Sequence, residues 1–268
     1  MTNPLSDIAI ESFMTPSRFL IINADDLGIS PEANRGIFMA YEKGVVTDSS
    51  LLIQGPYSRQ AIEKIKKNPS FHVGIHIDLD PLLGWKSPGI ERFPRPKLLE
   101  MMNKPDFVKR VKKEIDKQVT AFLERGLIPS HIDTHHHVHG FPQIFEPLVE
   151  IMDKYGIRAS RFSTKGYALL GREDIPVTSG QAQWMEDALR KKGILHPHHL
   201  IDPLVPFSLK EIPVGVTELM VHPAIGGDQW RQKDFEMLIN PLFMSTVREE
   251  GIQLISFSEL VSSPSPLT

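Results

Sequence analysis

Short apolar runs rich in β-branched residues alternate with longer stretches of helical spacing along most of the chain, and this alternation limits the fold more than any other feature. Strands are expected at Phe19–Asn23, Val45–Ile53, His72–Ile77, Ile128–Thr134, Ile157–Phe162, Glu218–His222 and Gln253–Phe257, most of them preceded by Gly or Pro. Between them, Pro31–Lys43 reads as a helix with Ser30 as N-cap and Gly44 at its end. Asp106–Arg125 places Phe107, Val111, Ile115, Val119 and Phe122 on one face and stops at Gly126. Repeated β-then-α units predict parallel strands joined by right-handed crossovers, and this many in 268 residues favour an α/β barrel over an open doubly wound sheet. One catalytic domain spanning 1–268 is expected, with residues 1–17 as an N-terminal extension. Asp80–Pro105 and Ser163–Pro206 break the rhythm and read as long loops over the active face, at the C-terminal ends of the strands.

Composition narrows the chemistry. Hydrophobic residues at 41% and charged residues at 24% suffice for a full core. A net charge of −3, with no long basic tract, speaks against nucleic acid as a partner. No basic-then-apolar leader and no apolar run of the ~20 residues needed to span a bilayer are present, so a soluble, cytoplasmic protein is expected. Since the chain has no cysteine, any transition-metal site must be built from His, Asp or Glu.

Three stretches carry that chemistry. His131-Ile-Asp-Thr-His-His-His-Val-His139 holds five of the eleven histidines in nine residues. Read as an extended strand, it points His131, Asp133, His135, His137 and His139 to one face, which is then wholly ionisable. Asn23-Ala-Asp-Asp-Leu-Gly28 closes an apolar run with two carboxylates and a glycine turn, where a barrel would place a metal ligand beside a general base. Gly74-Ile-His-Ile-Asp-Leu79 puts His76 near the end of another strand, with His72 a weaker candidate on the same face. Taken singly, the aspartate pair also fits a helix-capping turn and His76 a core histidine. A fourth stretch, Glu218-Leu-Met-Val-His-Pro223, is again a strand ending in histidine, while Trp184 and His196–His199 are candidates for sugar contact.

Together with Phe141-Pro-Gln-Ile-Phe145, these motifs resemble, in order and spacing from about Arg18 to about Phe257, the YdjC family of carbohydrate deacetylases, which includes chito-oligosaccharide deacetylases. The resemblance implies a distorted (β/α) barrel of the NodB type, a divalent ion, and hydrolysis of the N-acetyl group of an amino sugar or related glycolipid. It implies Asp26, His76 and His135 as metal ligands, Asp25 as catalytic base, His222 as general acid, and Arg161 as the residue that orients Asp25 or the acetyl group. His137 is the reserve ligand, and Asp133 and His137 are expected to orient His135. Magnesium is the metal by resemblance, while mixed imidazole and carboxylate ligands also suit Zn²⁺, Mn²⁺ or Co²⁺. Leu27 stands where the family usually has Phe, and Ser163–Pro206 matches poorly apart from Pro197–His199, which leaves the substrate open. The family also contains a branch acting in hopanoid synthesis. Competing readings are a metal-dependent phosphoesterase and a non-catalytic metal- or sugar-binding protein; a homodimer is the base-rate assembly.

Overall fold

The computed structural model describes residues 17–84, 95–162, 179–204 and 206–263. Seven strands, β1 (Arg18–Leu27), β2 (Asp48–Leu51), β3 (His72–Ile77), β4 (Ile132–Thr134), β5 (His199–Ile201), β6 (Gly215–Val221) and β7 (Ile252–Leu254), form one sheet. Its order is β4-β3-β2-β1-β6-β5, and every pairing is parallel. β7 pairs with the first three residues of β1, on the edge whose far end is taken by β2. The sheet is curled, with most helices against one face and the short helix Phe257–Ser262 against the other. Between β4 and β5 the strands do not meet; the gap is spanned by single-residue bridges, Ile132 to Ser160 and Ala159 to Leu195.

Strand alternation gives the sheet two unlike faces. Leu20, Ile22 and Ala24 of β1 join the large core shared with the helices, whereas Ile21 faces the other way into a smaller cluster with Ala159, Val216, Ile255, Phe257 and Leu260. The helix Pro31–Glu42 begins as expected, with Ser30 Oγ accepting from the Ala33 amide at 3.0 Å. Helix Phe107–Glu124 buries its anticipated stripe of Phe107, Val111, Ile115, Val119 and Phe122. Among the described residues no helix is long and apolar enough to cross a membrane.

Several expectations need correction. The strand expected at Ile157–Phe162 contributes only the two bridges, because the chain there lies alongside its neighbours for a single residue at a time. Asp80–Pro105 is not simply loop: it contains helices Asp80–Leu83 and Arg95–Met102, while 85–94 lie outside the described residues. Ser163–Pro206 holds a helix, Ser179–Lys191, and the strand β5. That helix buries Ala182, Met185 and Leu189 at spacings of three and four, a stripe diluted by the polar residues between. Residues 163–178 and 1–16 lie outside the described residues.

Candidate active site

Neighbouring residues of a regular strand point to opposite faces, so Asp25 and Asp26 would be separated if β1 ran on undisturbed. It does not. The pairing with β2 shifts register between Ala24 and Leu27, and Asp26 takes a left-handed φ of 65°. Both carboxylates thereby enter one buried network.

Around Asp26 three ligand atoms converge. Its Oδ1 lies 3.4 Å from His76 Nε2 and 3.1 Å from His135 Nδ1, and the two nitrogens are 3.4 Å apart. Atoms bound at about 2.0–2.2 Å to one ion stand about 2.8–3.6 Å apart at right or tetrahedral angles, so this triangle matches one face of a coordination shell. Asp26 Oδ1 is buried and meets no hydrogen-bond donor in acceptable geometry, as expected of an atom whose partner is a cation. His76 is oriented from behind: its Nδ1 is 2.8 Å from Asp133 Oδ1, which turns Nε2 toward Asp26. Burial opposes charge on His76, but the Asp133 and Asp25 carboxylates outweigh it and raise its pKa well above the ordinary value. The negative field that holds a proton there is the field a divalent ion would compensate.

Next to this cluster lies an arginine with no free donor. Arg161 is wholly buried; Nη1 and Nη2 grip Asp25 at 2.7 and 2.6 Å, Nε donates to Glu218 Oε1 at 2.8 Å, and Nη1 also reaches Asp133 Oδ2 at 2.9 Å. One guanidinium thus ties three carboxylates from three strands. Burial pushes Glu218 up to about 7 against the pull of Arg161. Burial would raise Asp133 as well, yet His76 and Arg161 hold it below the usual carboxylate range. Asp25, His76 and Asp133 are also close enough together to ligate a cation, but Arg161 already supplies the positive charge there.

His222 follows β6, with Nε2 3.9 Å from Asp25 Oδ2 and its backbone amide donating to Asp234 Oδ2 at 2.8 Å. Burial pushes its imidazole down to about 4, so the resting ring is neutral. Gly36 keeps this loop close: a Cβ there would meet Pro223 O at 2.5 Å, so only glycine lets helix Pro31–Glu42 lie against the chain after His222.

The histidine-rich run departs from the expected alternation. β4 ends at Thr134, and residues 135–140 make a tight 3₁₀ turn in which His136 and His137 have φ of 58° and 55°. Only His131 and Asp133 therefore share a strand face. His131 is structural: it is stacked on Phe257 at 3.9 Å, bonded to Ser50 and Ser130, and pushed down to about 4 by burial. Gly74 makes room for it, since a Cβ would come within 2.4 Å of the ring. Asp133, expected behind His135, stands behind His76 instead, because the turn swings His135 out of the strand register. His137 is buried beside His139, with ring centroids 6.1 Å apart, and the group around Asp26 holds His76 and His135 rather than His137. Of the residues considered for sugar contact, Trp184 packs edge-on to Phe145 and His198 Nδ1 accepts from the Val216 amide.

Arg231 lies outside every motif singled out in the sequence. From helix Gln229–Ile239 it donates through Nη2 to Asp26 Oδ2 at 2.6 Å and carries Trp230 against its guanidinium at 4.4 Å. The only signal was arithmetic: Arg161 can satisfy one of two adjacent buried aspartates, and the other needs a second cation.

Known proteins resemble the chain over nearly its whole length. A carbohydrate deacetylase of Geobacillus stearothermophilus is 30% identical over 251 residues, covering 90% of this chain and 98% of the relative. One from Clostridium beijerinckii is 27% identical over 253 residues, covering 90% and 99%. A crystal structure from Enterococcus faecalis V583, described as a candidate cellobiose-phosphate cleavage protein, shares the fold with a TM-score of 0.68 at 23% identity, covering 91% of this chain and 99% of that one. Residues 19–249 match the YdjC-like protein family, and the chain belongs to that family.

Proposed function

We propose that this chain is a metal-dependent hydrolase that removes the acetyl group from an N-acetylated amino sugar, of a chito-oligosaccharide or a related glycan or glycolipid. The observation that carries the reading is the convergence of Asp26 Oδ1, His76 Nε2 and His135 Nδ1 beside a carboxylate, Asp25, whose two oxygens Arg161 holds and whose charge it balances. The relatives that span nearly the same length are carbohydrate deacetylases. In this reading Asp26, His76 and His135 hold the ion, with magnesium suggested by the family and zinc, manganese or cobalt by the donor set. A bound divalent ion supplies Lewis acidity, drawing charge from the acyl carbonyl and making water easier to deprotonate.

The remaining work falls to the chain's own residues. Arg161 holds both oxygens of Asp25 and keeps it aimed, so Asp25 takes the proton of the attacking water. His222, neutral at rest, becomes an acid only after it gains a proton, and its Nε2 lies 3.9 Å from Asp25 Oδ2. It then protonates the departing amine, which is too basic to leave as an anion. A phosphoesterase would want free cationic groups to clamp phosphate; Arg161 and Arg231 both already face carboxylates.

Acetate release from N-acetylated chito-oligosaccharides tests the reading. Asp25→Asn is expected to lower kcat by roughly 10²–10⁴-fold while metal content stays at the wild-type value. Normal turnover by that variant would remove Asp25 as the base, and no acetate release across a panel of acetylated sugars would remove the function.

A further inference from the structure

His135 faces two groups at once. Its Nδ1 turns to Asp26 at 3.1 Å, while its other nitrogen, Nε2, lies 3.9 Å from Asp80 Oδ2. The same Asp80 oxygen is 3.2 Å from His136 Nε2, and the rings of His135 and His136 lie with centroids 3.9 Å apart. Asp80, His135 and His136 thus present ligand atoms within 4.8 Å of one another. Asp80 and His136 are 14–15% exposed, against 1–2% for Asp26 and His76, so the two triads differ in the members they do not share, and the second opens further to solvent.

We propose that Asp80 and His136 form, with His135, a second cation site that takes zinc and inhibits by drawing His135 away from the Asp26 cluster. The inhibitory part rests on the hydrolase reading above; the site itself does not. A neutral imidazole has one lone pair and one N–H. Ligation through Nε2 moves the proton to Nδ1 and takes away the lone pair that Asp26 and His76 would share with their ion, so one imidazole cannot serve both sites in its neutral form. Two imidazoles and one carboxylate suit zinc far better than magnesium, which prefers oxygen and keeps its waters. Order of filling follows from the surroundings. The Asp26 cluster is enclosed and has Asp133 behind one imidazole, whereas the outer triad is wetter and has a single carboxylate, so the inner site fills first.

The test is a calorimetric titration of metal-free protein with zinc, repeated with cobalt while the visible ligand-field spectrum is read, alongside acetate release at each metal ratio. Two binding events are expected, with activity rising over the first and being lost over the second. His136→Ala and Asp80→Asn should each abolish the second event and the inhibition, leaving the first event and the activity at one equivalent unchanged. Magnesium should give one event only. A single zinc event in the wild type, or a second event that survives in both variants, overturns the proposal. If two events appear and the variants remove one, yet no acetylated sugar is turned over, the outer site stands and the hydrolase reading falls.

Discussion

Two layers on the face of the sheet opposite the main core are built on opposite terms. At the N-terminal end of the strands, Ile21, Ala159, Val216, Ile255, Phe257 and Leu260 close the space with hydrocarbon. A few residues further along the same strands, Asn23, Ser50, Asp133, Arg161 and Glu218 fill it with charge and hydrogen bonds. The apolar layer contributes by excluding water and tolerates small changes of shape. The polar layer tolerates almost none, because each buried charge is stable only while its partner stays in place. The contrast teaches where precision is kept: Arg161 fixes Asp25 from below, and the layer of hydrocarbon beneath keeps water from competing for it.

Substitutions can break this division. Arg161→Met should have the largest effect, leaving Asp25, Asp133 and Glu218 facing one another; a loss of about 3–5 kcal/mol in urea denaturation is expected, together with loss of acetate release. Loss of activity with stability intact would show that the layer is catalytic but not structural. Acid should be next. Burial depresses His131 from 6.5 to about 4, so as pH falls the unfolded chain takes up a proton that the folded one refuses. Its contribution is full above about pH 6.5 and is lost on the way down to about pH 4, at up to about 1.4 kcal/mol per pH unit. His131→Asn should flatten the stability profile in that window; an unchanged slope would contradict the assignment. Phe257→Leu keeps hydrocarbon but loses the stack on His131 and should cost about 1–2 kcal/mol, with kcat little changed. A large fall in kcat would mean that the two layers are coupled. Ser30→Ala removes an N-cap outside both layers and should cost about 1 kcal/mol in melting experiments, with kinetics unaffected.

Much of this was legible in the sequence where a local rule governed. Alternation placed His131 and Asp133 on one face, periodicity gave the stripe of Phe107–Glu124, and the aspartate pair after an apolar run marked the end of β1. Local rules failed where the chain left regular geometry. Nothing in His135-His-His-Val-His139 announces two consecutive left-handed residues, which histidine seldom adopts. β5 is three residues long, too short for any period to register. Arg231 reaches Asp26 across 205 positions, a pairing that only the closed fold creates. The strands other than β5 were foreseeable, but not the single-residue bridges that complete the curl, because these depend on how far the sheet bends.

The strand that carries both aspartates is hydrogen-bonded along both edges, to β6 on one side and to β7, Thr47 and β2 in succession on the other. Its amides can meet solvent only if the middle of the sheet parts, so their hydrogen exchange should follow global unfolding. The turn bearing His135 is braced by side chains instead, Thr134 Oγ1 accepting from the His139 amide at 3.1 Å and lying 2.6 Å from His139 Nδ1. A cation at Asp26 would thus meet one ligand set by strand pairing on both edges and another, His135, set by a turn that only side chains brace.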